Sequence, residues 1–69
     1  MTAPISLDRQ AAAVRREIGM RRHLYPRWAE SGKLTQQQAD DGIAAMESVL
    51  QTLQRLIAEE CEREQPGLF

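Results

Sequence analysis

Sixty-nine residues, 42% of them apolar and 28% charged, suit one small folded domain and exclude a disordered chain or a multidomain enzyme. The single cysteine, Cys61, excludes an internal disulfide framework and predicts a reducing compartment. The net charge of −1 hides two opposed halves: Arg9, Arg15, Arg16, Arg21, Arg22, Arg27 and Lys33 against Glu17 and Glu30 give +5. From Leu34 onward, Asp40, Asp41, Glu47, Glu59, Glu60, Glu62 and Glu64 against Arg55 and Arg63 give −5, and Asp8 supplies the remaining −1. Such halves can fold onto each other or offer surfaces of opposite sign to partners.

The opening stretch MTAPISLDRQ lacks the basic-then-apolar pattern of a signal peptide, and no apolar run has the length of a membrane span. A cytoplasmic protein is expected. The first helix is predicted over about residues 6–25. Ser6 can accept from the free N–H groups of the first turn, where Asp8 also favours the helix dipole. Leu7, Ala11, Val14, Ile18 and Tyr25 recur at helical spacing, with Met20 and Leu24 beside them. Pro26 biases Tyr25 away from helical geometry and predicts an end or kink there. The corner, residues 26–34, then carries one further turn closed by Gly32.

The second helix is predicted over about residues 35–62. Thr35 and Gln38 stand at capping-box spacing. Ala39, Ile43, Met46, Leu50, Leu53 and Ile57 follow in steps of four and three, with Gly42, Val49 and Leu56 along one edge. The acidic residues from Glu59 to Glu64 oppose the negative end of the helix dipole, and Pro66 and Gly67 forbid continuation into the tail, residues 65–69.

The expected fold is all-α: an antiparallel two-helix hairpin over residues 1–64 with a short tail. One hairpin has one seam, and an apolar stripe this broad needs more cover than one partner helix gives. A homodimer forming a four-helix bundle supplies that cover, with Ile43, Met46, Leu50, Leu53 and Ile57 as its expected core.

Catalytic signals are missing. His23 and Cys61 are isolated, no CxxC or HxxxH spacing occurs, and neither a phosphate-cradling glycine loop nor a nucleophile elbow is present. The sequence therefore predicts no enzyme, no metal site and no cofactor.

The unusual feature is Met20–Trp28, MRRHLYPRW, where arginines, the only histidine, the only tyrosine and the only tryptophan surround a proline. Its aromatic residues can cap the bundle end at the hairpin turn. Its arginines can be a solvated face, with Arg9, Arg16 and His23 in one row and Arg15 and Arg22 in another. Alternatively, Arg16, Met20, His23, Tyr25, Arg27 and Trp28 form a partner-binding patch, since these residue types concentrate at interaction hot spots. A DNA-binding regulator using the arginine rows is the rival reading. The acidic second helix, doubled in a dimer, would repel phosphate and speaks against nucleic acid.

The stretch from Ala13 to Leu53, and above all its Tyr-Pro-Arg-Trp corner, resembles a group of small proteins of temperate phages and prophages. They share an arginine-rich first helix, a glycine-then-threonine restart and a second helix containing Met-Glu. In length and pattern the chain is also similar to a quorum-sensing anti-activator of that group, a dimeric helical hairpin. The resemblance implies a host-takeover inhibitor in the cytoplasm of an infected cell, acting by binding without catalysis. It implies as partners the LuxR-type regulator LasR and the type IV pilus assembly ATPase PilB. On this reading, the acidic face around Asp40, Asp41 and Glu47 can meet the basic DNA-binding domain of a regulator. The tail offers one more reading. Gln65, Leu68 and Phe69 resemble the peptides that dock on the bacterial sliding clamp, although Pro66 departs from that pattern; otherwise Leu68 and Phe69 cover the bundle end.

Overall fold

The computed structural model describes residues 4–64. Two helices account for nearly all of them: α1, Leu7–Ser31, and α2, Gln36–Glu64, packed against each other as a hairpin. Both starts carry the caps that their sequences predict. The Arg9 N–H donates to Ser6 Oγ at 3.2 Å. At α2 the Thr35 N–H donates to Gln38 Oε1 and the Gln38 N–H to Thr35 Oγ1, each at 3.0 Å, which is a complete reciprocal capping box.

The hairpin is antiparallel because the connection is only a few residues long. Gly32 takes the left-handed conformation, φ 85°, that lets the chain reverse after α1. The N–H groups of Lys33 and Leu34 then both donate to the Trp28 carbonyl, at 2.9 and 3.3 Å. The reversal is tight.

Pro26 does not end α1. The helix runs through it for more than another turn, so the expected corner at residues 26–34 contracts to residues 32–35. Proline removes the N–H that would bond the Arg22 carbonyl and costs about 3 kcal/mol in a helix interior. Two circumstances offset this. Pro26 is exposed, so water can serve the orphaned carbonyl, and Tyr25 beside it is held against Gly42 of α2. The Tyr25 and Trp28 rings stack across the proline with centroids 5.6 Å apart. Lys33 approaches the Trp28 ring at 6.0 Å. At the other end, α2 persists through Glu64 despite its acidic last turns, where Arg63 supplies one favourable charge.

The seam has regular three–four spacing on both sides. On α1 the inward positions are Leu7, Ala11, Val14, Ile18, Arg21, Tyr25 and Trp28; on α2 they are Ala39, Ile43, Met46, Leu50, Leu53 and Ile57. Every one of these is buried or half-buried, but only Ala11, Ile18, Ala39 and Leu53 are truly buried. The expected dimer-core residues thus face α1 of their own chain. Leu53 is covered there, while Ile43, Met46, Leu50 and Ile57 keep part of their surface open.

Candidate interaction surface

The structure divides the MRRHLYPRW cluster between two sides of α1. Arg16, Met20, His23 and Arg27 lie four, three and four residues apart, so they form one stripe along the outer face, and all four are exposed. Tyr25 and Trp28 lie on the seam side and are half-buried beside the turn. The six residues proposed from sequence therefore do not form one continuous patch. Four make an outward stripe, and two fasten the hairpin's closed end.

Tyr25 is held from three directions. Trp28 stacks on it, the Arg21 guanidinium sits 5.6 Å from its ring centroid, and its edge lies against Gly42 of α2. A Cβ at position 42 would stand 2.9 Å from Tyr25 Cε2, well inside contact distance. Gly42 is the residue that lets the ring edge approach the second helix this closely.

Arg21 was overlooked by an apolar reading, because it occupies an inward position. Its Nε–H donates to Glu17 Oε2 at 2.8 Å and its Nη1 donates across the seam to the Gly42 carbonyl, also at 2.8 Å. The signal that finds it is spacing alone: Ile18, Arg21, Tyr25 and Trp28 continue the three–four rhythm. Arg21 is a fastener, and its charge is spent inside the hairpin.

The remaining arginines behave differently. Arg22 pairs with Glu47 across one edge of the hairpin. Among the described residues Arg9, Arg15, Arg16 and Arg27 form no ion pair. Of the acidic residues suggested as a second contact face, Asp40 accepts from Gln36 Nε2 at 3.0 Å, Asp41 is exposed, and Glu47 is half-buried beside Arg22. Glu47 is thus partly occupied within the chain.

No family model, curated protein or solved structure matches this chain. Its surface must be interpreted on its own chemistry. Among the described residues no group of His, Cys, Asp or Glu side chains is arranged to hold a metal ion. No helix among them is long and apolar enough to cross a membrane. Gln65, Leu68 and Phe69 of the suggested tail motif lie outside the described residues.

The two edges of the hairpin also differ. One holds Arg15 and Arg22 opposite Glu47 and Gln54, with an open groove between the helices. The other places Glu17 and Leu24 opposite Gly42, Val49 and Leu56 by helical geometry. Beyond the Glu17–Arg21 ion pair, the α2 side of this second edge is apolar and wet. Val49 is 43% and Leu56 36% exposed.

Proposed function

We propose that this chain is a non-catalytic binding protein that inhibits host proteins by occupying their functional surfaces. The observation that carries this reading is the outward stripe Arg16, Met20, His23 and Arg27, exposed on a helix whose opposite side is anchored in the seam. A rigid helix presenting arginines beside a pliable methionine is a low-entropy contact surface, suited to a groove or an acidic patch on a partner. The phage resemblance supplies the candidate partners, a LuxR-type quorum-sensing regulator such as LasR and the pilus ATPase PilB.

Arg16→Glu combined with Arg27→Glu tests the stripe. Both residues are exposed and unpaired among the described residues, so each change should alter stability by no more than about 0.5 kcal/mol and the pair by no more than about 1 kcal/mol. Binding to purified LasR or PilB, measured by calorimetry, should weaken at least tenfold, about 1.4 kcal/mol. Undiminished binding would reduce the stripe to a solvated face. Tight, salt-sensitive binding of the wild type to arbitrary duplex DNA would favour the regulator reading instead.

The same proposal includes a homodimer. Among the described residues only four positions are buried, so the hairpin has little core of its own, and its apolar edge of Val49 and Leu56 is uncovered. Two copies meeting edge to edge in antiparallel fashion bury those residues and bring the basic α1 of one copy beside the acidic α2 of the other. Val49→Glu with Leu56→Glu should turn a dimer into a monomer in sedimentation at micromolar concentration. A wild type that sediments as a stable monomer there would remove the dimer from the proposal.

A further inference from the structure

The edge opposite that apolar flank carries a different feature. Between α1 and α2 runs an open groove of about 590 Å³, with Ile18 and Leu50 at its apolar floor and Arg15, Arg22 and Gln54 among its rim residues. Gly19 lines the same groove. A Cβ built on Gly19 meets nothing within 4 Å, and its φ lies in the ordinary helical range. Neither packing nor backbone conformation within the hairpin calls for a glycine there. Gly42 makes the contrast, since its missing Cβ is filled by Tyr25. A glycine in a helix interior is unfavourable relative to alanine, and one use that offsets this cost is the close approach of backbone to a ligand.

The charges on the rim are unequal. Arg22 is tied to Glu47, whereas Arg15 forms no ion pair among the described residues. The groove therefore offers an apolar floor, one unengaged guanidinium and one helical position bare of side chain. We infer that it is a second docking surface, distinct from the outer stripe, which receives an acidic amphipathic helix of a partner protein. A leucine or methionine of that helix enters above Ile18 and Leu50 and passes close to Gly19. A carboxylate about one turn away meets Arg15.

The test uses the full chain and a phage-displayed library of randomised helical peptides. Selection on the wild type should enrich peptides with Asp or Glu one turn from Leu or Met. Their affinity should fall at least tenfold on Arg15→Glu and on Gly19→Gln. Gly19→Gln fills the groove mouth while improving helix propensity, so its melting temperature in circular dichroism should be unchanged or raised. The stripe variant Arg16→Glu/Arg27→Glu should bind these peptides as the wild type does, which separates this surface from the one above. Failure to enrich any peptide, or enrichment of basic or uncharged ones, overturns the inference. So does equal binding by Gly19→Gln. If Arg15→Glu or Gly19→Gln instead changes the sedimentation of the chain alone, the groove receives a second copy and the inference is wrong. If Arg15→Glu abolishes binding to a random 20-base-pair duplex, the occupant is nucleic acid and the inference is equally wrong.

Discussion

Leu53→Ala should unfold most of the hairpin at room temperature. Among the described residues Leu53 is the only large side chain of α2 that the chain buries by itself, at 9% exposure, and it sits in the middle of the seam. Truncating a buried leucine costs about 2–5 kcal/mol, from lost transfer energy and from the cavity left behind. A protein of this length has about 3–10 kcal/mol of stability in all, at about 0.05–0.15 kcal/mol per residue. The loss is therefore comparable with the whole. Urea unfolding followed by helical circular dichroism should show the midpoint collapse toward zero denaturant. Leu53→Met keeps the volume and should cost less than about 1.5 kcal/mol. A Leu53→Ala variant with an unshifted midpoint would mean that the seam does not hold the fold together.

Gly42→Leu should be the most damaging change on the surface of α2, and helix propensity gives the opposite expectation. Replacing a helical glycine gains about 0.5–1 kcal/mol of intrinsic preference. Here the first added atom would already lie 2.9 Å from the Tyr25 ring. The ring cannot swing away freely, because Trp28 stacks on it and Arg21 lies over it while bonded to the Gly42 carbonyl. Overpacking of this kind costs about 1–3 kcal/mol, which outweighs the propensity gain. The melting temperature should fall, and the fluorescence of Trp28 should shift as its neighbouring ring is displaced. In a Tyr25→Ala background the obstacle is gone, so Gly42→Leu should there be neutral or stabilising. A Gly42→Leu variant more stable than the wild type would show that the ring yields without cost.

The two helices, their caps and their inward faces are legible in the sequence because each is encoded locally. Ser6, Thr35 with Gln38, and Gly32 satisfy or reverse the backbone at the ends within a few residues of themselves. The apolar stripe from Ala39 to Ile57 repeats at a period that only a helix turns to one side. Local rules failed at Pro26. A proline's steric preference is a property of its neighbours in the chain, whereas its tolerance in α1 depends on Tyr25 being held against Gly42 of the other helix.

The division of the arginine-rich cluster was likewise beyond a linear reading. Arg16, Arg21 and Arg22 are equivalent as residue types, yet one faces water, one crosses the seam to the Gly42 carbonyl, and one pairs with Glu47. Their spacing gives the angle of each around α1. Which angle is covered depends on where α2 lies, and that follows from the tight reversal at Gly32 and the fit of Tyr25 against Gly42. Composition and periodicity alone thus determined a helical hairpin with a basic first helix and an acidic second one. Only the packing of those helices decided which charges stay available to a partner, because a side chain is free only where no other part of the chain already meets it.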